Sequence, residues 1–151
     1  MTDDPLVGAT SAALAGIGLL HVGWGLRVPM PGVDGARVTD AVVGSDEMPS
    51  PAACFAVAAA LAAAALLVAG APSRWPRLCR IGQTGVAVVL GGRALLGAVG
   101  RTDLVAPGPT SATFRKWDRA LYAPLCAALG AGAIRATTRG PRSGPRVSII
   151  R

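Results

Sequence analysis

Charge is scarce in this chain, and so are the residues that most often carry chemistry. Charged side chains make up 15% of its 151 residues, against about 25% in an ordinary water-facing domain. Aromatics account for 4%, and there is one histidine, His21, one lysine, Lys116, and one tyrosine, Tyr122. A lone histidine excludes haem held between two histidines of one chain. Cys54, Cys79 and Cys126 are the only cysteines, and no two are spaced C-x-x-C. That excludes a thioredoxin-like or zinc-ribbon site and a disulfide-stapled miniprotein. The odd count leaves at least one thiol unpaired in a monomer. Too few polar residues remain for a disordered chain or for the surface of a soluble enzyme.

What is present is apolar, 52% of the residues, mostly Ala, Val and Leu in long runs interleaved with Gly. Leu6–Leu26 and Pro51–Ser73 carry no formal charge, and Ile81–Gly100 carries one, Arg93. Each is long enough to cross a hydrocarbon core of ~30 Å as a helix. A fourth charge-free run, Ala120–Ile134, is shorter, but Arg119 and Arg135 bracket it and can snorkel to the headgroups. The expectation is an all-α, four-helix transmembrane bundle. Its spans lie at about 6–26, 51–72, 81–100 and 119–138, with a long loop at 27–50 and a basic, disordered tail at 139–151. Trp24, Trp75 and Trp117 all fall at span boundaries, where an amphipathic indole belongs. Asp3 and Asp4 stand where a signal peptide has its basic segment, so the first run reads as a retained span.

The formal net charge of +7 would suggest nucleic acid in a soluble protein. Here most basic residues flank the apolar runs, and nucleic acid is not an expected partner. Four spans put both termini on one side. That side carries eight Lys and Arg against six on the other, which favours termini in the cytoplasm by a narrow margin. Around the first span alone the bias is reversed. The expected location is the cell (inner) membrane, multi-pass.

Small residues supply the faces along which such helices pack. They are Gly8, Ala12 and Gly16 in span one, Ala58 to Ala65 in span two, Gly82, Gly85, Gly91, Gly92 and Gly97 in span three, and Ala128, Gly132 and Ala136 in span four. Packing within the bundle and contact with a partner or second copy both remain open for these faces. The loop at 27–50 either caps the bundle mouth or serves as a docking surface.

Alternating spans bring the polar residues to one membrane face. His21 and Trp24 close span one and Cys54 opens span two. Arg93 lies seven residues before the end of span three, and Asp118, Tyr122 and Cys126 open span four at four-residue steps, on one stripe. A guanidinium inside a membrane costs at least ~2.5 kcal/mol, so Arg93 should find a partner, with Asp118 the nearest carboxylate, or snorkel. A pocket for an anionic group is the alternative. His21, Trp24, Arg93, Asp118 and Tyr122 are the candidate ligand-binding residues. No catalytic residue is assigned, and no metal ligand. A site of His21 with Cys54 and Cys126 has no supporting pattern. No cofactor is expected.

The segment from Pro109 to Cys126, PTSATFRKWDRALYAPLC, together with His21-Val-Gly-Trp24 and Pro51-Ala-Ala-Cys-Phe-Ala-Val57, resembles a family of small, largely actinobacterial membrane proteins. That family is known as domain of unknown function 3995. The resemblance covers about His21 to Gly130 and implies a four-span membrane protein without implying substrate, cofactor or mechanism. Function therefore rests on the residues. The leading expectation is an accessory or scaffold subunit of a membrane complex, or a homo-oligomer, with membrane lipids around it. The alternative is a lipid- or anionic-metabolite-binding membrane protein or enzyme using the cluster at one face.

Overall fold

The computed structural model describes residues 4–29, 35–44, 47–71, 74–104 and 111–138. The expected tail at 139–151, and Pro31, Gly32, Asp34 and Asp46 of the first loop, lie outside them. The described residues form helices α1 (Pro5–Gly25), α2 (Gly35–Val43), α3 (Pro51–Val68), α4 (Pro76–Ala98), α5 (Ala112–Trp117) and α6 (Ala123–Thr137). A 3₁₀ turn spans Thr102–Leu104, and a π-helical turn, Asp118–Tyr122, joins α5 to α6. There is no strand among the described residues.

The helix ends follow local chemistry more than charge. Proline opens α1, α3 and α4, where its missing N–H is not needed. Asp4, Ser50 and Ser111 accept from backbone N–H groups of the first turns of α1, α3 and α5, the usual N-cap exchange. Gly70 and Gly100 adopt positive φ. The N–H of the residue after each reaches back to Leu66 and Leu96, closing α3 and α4 with Schellman turns. These signals move three boundaries away from the charge-free runs, and in the fourth span the Ser111 cap starts the helical stretch at Ala112 rather than 119. The third helix starts at Pro76 rather than 81 and takes in Arg77 and Arg80, and the second ends at Val68 rather than 72. The long first loop contains α2.

Four helical stretches are long and apolar enough to cross a membrane: Pro5–Gly25, Pro51–Val68, Pro76–Ala98 and Ala112–Thr137. Apolar side chains such as Leu19, Ile81, Val89 and Leu95 are each about 70% exposed. Water would oppose such a surface and hydrocarbon tolerates it. The chain is a multi-pass, four-helix membrane protein.

α1 packs chiefly on α3, and α4 on α6, while α1–α6 and α3–α4 contacts join the two pairs. The centre is small-residue packing. Val7, Leu14, Ala65, Val68, Ala87, Leu129, Ala133 and Ala136 form the core. Gly18 lies against the Ala58 backbone, Gly130 against Ala87 and Gly91, and Gly132 against Thr10. Polar groups tie the helices where lipid offers no alternative partner. Ser11 donates to the Ala65 carbonyl at 2.9 Å, and Gln83 to the Leu67 carbonyl at 2.9 Å. Arg135 pairs with Asp4 at 2.9 Å, so the start of α1 and the end of α6 meet at one end of the bundle.

Several small residues face outward among the described residues, Gly85 of α4 and Ala59 and Ala63 of α3 among them, and α1 carries a continuous series. Gly8, Ala12 and Gly16 all point away from the bundle, and a Cβ built on Gly8 or Gly16 would meet nothing within 4 Å. Ala128 is also exposed, whereas Gly132 and Ala136 of its series are buried.

Candidate functional site

The site is shaped by one proline. Pro124 has no N–H to return to the carbonyl four residues back, and its ring would collide with that oxygen. The chain widens into the π turn, in which the Ala123 N–H bonds to the Asp118 carbonyl five residues behind it. The extra residue breaks the four-residue stripe expected for Asp118, Tyr122 and Cys126. Asp118 turns in toward α4, and Tyr122 turns toward α2.

Asp118 is fully buried, 0% exposed. Arg93 Nη2 donates to its Oδ1 at 2.5 Å, and Thr102 Oγ1 donates to its Oδ2 at 2.9 Å. The carboxylate thus joins α4, the 3₁₀ turn and the fourth span. Gly97, one turn after Arg93, makes room for it. A Cβ there would stand 2.8 Å from Ala123 Cβ and 2.9 Å from both Arg93 Nη1 and Asp118 Oδ2. Arg93 Nη1 is buried and has no hydrogen-bond partner among the described residues. Cys126 lies within electrostatic range of both charges, and Tyr122 of Asp118.

Tyr122 holds α2 over this end of the bundle. Its hydroxyl donates to the Ala41 carbonyl at 3.0 Å, and its ring lies 6.1 Å from that of Phe114. Phe114 in turn fills the space beside Gly44, whose φ is +79° and whose missing Cβ would lie 2.9 Å from the ring. The Ser111 N–H bonds to the Gly44 carbonyl at 3.1 Å. Of the two roles left open for the first loop, this contact belongs to the cap: α2 seats on α5.

His21 and Trp24 form a separate group. The His21 Nδ1 stands 2.8 Å from the Ile17 carbonyl and donates to it in the tautomer that contact requires. Its ring meets Trp24 edge-on at 4.9 Å. Next to them Gly25 lies under the Phe55 ring, and Trp24 itself lines a shallow pocket along α1 with Gly16, Leu20 and Gly23. Trp75 and Trp117 are 62% and 46% exposed, as boundary indoles should be. Trp24 departs from that pattern, since its Nε1 is buried without a partner among the described residues. All three cysteines are free thiols.

The structure therefore brings Arg93 and Asp118 into contact, sets Tyr122 beside them on a different partner, and pairs His21 with Trp24. Sequence reasoning missed Thr102, the second ligand of the carboxylate, and the Ala41 carbonyl that holds Tyr122. A backbone acceptor leaves no sequence signal, and Thr102 becomes legible only once the turn after Gly100 is known. Gly97 had been placed only among packing glycines, although its position one turn past Arg93 is a usable clue. Chemically, the Arg93–Asp118–Thr102 unit is a charge-neutral clamp between helices. Among the described residues no three His, Cys, Asp or Glu side chains are grouped to hold a metal ion.

The model of the DUF3995 family, described as proteins of unknown function, matches residues 14–133. This range takes in every residue of the clamp and the His21–Trp24 pair. No curated protein and no solved structure matches the chain. The chain belongs to the DUF3995 family.

Proposed function

We propose that this chain is a non-catalytic subunit of the cell membrane, an accessory or scaffold protein that binds a transmembrane helix of a second protein or of a second copy through the outward face of α1. The observation that carries this reading is the unused Gly8–Ala12–Gly16 face. In lipid, burial of apolar surface does not drive helix association, and close backbone approach across small residues does. Other small residues, such as Gly18, Gly130 and Gly132, are already occupied inside the bundle. The neutral Arg93–Asp118 clamp supports the same reading, because its charges are spent on joining helices. The narrow Lys and Arg excess favours termini in the cytoplasm, with α2 and the clamp at the outer face.

The test is energy transfer between labelled protomers, and pull-down of a membrane partner, for wild type and for Gly8→Leu/Gly16→Leu. The reading expects association in wild type and its loss in the variant, with an unchanged melting temperature in detergent. Association that survives both substitutions contradicts it.

A second reading has one observation in its favour. The unpartnered Nη1 of Arg93 is a donor that an anionic metabolite or lipid group could take, with Tyr122 nearby. That reading expects a small molecule retained by wild type and lost in Arg93→Gln.

A further inference from the structure

The α5 surface facing away from the bundle carries an unusual concentration of charge. Phe114 and Asp118 face inward and are buried. On the opposite side Ala112, Arg115, Lys116, Arg119 and Ala120 line a shallow hollow of about 480 Å³. Positions 112, 115 and 116 follow the i, i+3, i+4 spacing of one helix face, and the π turn that starts at Asp118 sets Arg119 and Ala120 beside them. The three cations are exposed, and neither Lys116 nor Arg119 has a carboxylate partner among the described residues. Like charges one turn apart destabilise a helix, and in a lipid-facing span they also resist burial. An anion from outside the chain would answer both for Lys116 and Arg119.

Arg119 reaches over the turn that ends α4, where its guanidinium lies against Gly100, whose φ is +75°. The floor is two alanines and the aliphatic stems of the basic side chains. Exposed Leu121 and Leu125 follow in the same span. Beside the hollow Trp117 marks the headgroup level.

We propose that this hollow binds the phosphate headgroup of an anionic phospholipid, with Arg115, Lys116 and Arg119 around the phosphate and an acyl chain running along Leu121 and Leu125. The apolar continuation selects a membrane lipid over a free phosphate. The site is separate from the Arg93–Asp118 clamp and from the α1 face.

The test is native mass spectrometry of the full chain released from nanodiscs of equal phosphatidylglycerol and phosphatidylcholine. Wild type should retain phosphatidylglycerol in preference to phosphatidylcholine. Each of Arg115→Gln, Lys116→Gln and Arg119→Gln should weaken that retention about fivefold, and Arg115→Lys/Arg119→Lys should largely keep it. The control is Arg77→Gln/Arg80→Gln, which removes two exposed cations at the opposite end of α4 and should change nothing. Equal loss in the control and the hollow variants, or retention unaffected by the hollow variants, overturns the proposal. So does displacement of the lipid by millimolar inorganic phosphate, which would make the site one for a free anion. Lys116→Gln, whose charge has no carboxylate partner among the described residues, should melt with wild type and is the variant to judge by if another does not fold.

Discussion

At the residue scale the clamp sets the energetic stakes. A guanidinium alone in a span costs at least ~2.5 kcal/mol, and a fully buried carboxylate costs several. Bonded to each other and to Thr102 they form a neutral unit. Removing one partner should therefore be worse than removing both. Asp118→Ala should destabilise the bundle by about 3–5 kcal/mol, read as a fall in melting temperature and in the monodisperse fraction in detergent. The double variant Arg93→Met/Asp118→Leu should recover most of that loss. A double variant as damaged as the single one would show that the clamp does something other than neutralise itself. Gly97→Leu should resemble Asp118→Ala, because a side chain there enters the space held by Arg93 and Asp118. Sequence alone paired Arg93 with Asp118 because only one carboxylate lay near the right depth. It could not show that the carboxylate is fully buried or that Thr102 completes it, since both depend on where the turn after Gly100 puts the chain.

At the element scale the π turn and α2 belong together. Pro124 forces the turn, the turn directs Tyr122 away from the Asp118 stripe, and Tyr122 holds α2 through one carbonyl. A helix of nine residues is too short to stand alone in water, so it depends on such contacts. Tyr122→Phe should release it, speeding amide exchange over 35–44 about fivefold, the equivalent of one hydrogen bond of ~1 kcal/mol, while α1, α3 and α4 keep their protection. Unchanged exchange over 35–44 would mean that Phe114 and Gly44 hold α2 without the hydroxyl. The four long helices were legible because membrane thickness imposes a length that composition can be checked against. α2 was not, since nine residues between the Pro29, Pro31 and Gly32 cluster and Gly44 look like a loop, although their apolar residues gather on one face. The expected stripe at 118, 122 and 126 failed for a similar reason: a regular helical period was applied across a proline that interrupts it.

At the scale of the whole molecule, small residues sort into used and unused faces. Periodicity identifies Gly8, Ala12 and Gly16 as a face that permits close approach, but it does not say what approaches. The structure shows that nothing among the described residues does. The inward glycines make a contrast that separates folding from association. Gly132→Leu should disrupt the bundle, because even a Cβ there collides with Thr10, and the melting temperature should collapse. Gly16→Leu should leave the bundle intact and act only on assembly. If both substitutions lower the melting temperature alike, the α1 face is part of the fold and the association reading loses its support.

The most direct measurement is native mass spectrometry of the full chain extracted gently from its own membrane. The account predicts a defined homo-oligomer or a recurring second protein, retained in the double variant Arg93→Met/Asp118→Leu, which leaves no unpaired charge, and lost in Gly8→Leu/Gly16→Leu. A lone protomer carrying a non-lipid metabolite that disappears in Arg93→Met/Asp118→Leu, with the melting temperature kept, would contradict it and make the clamp a binding site.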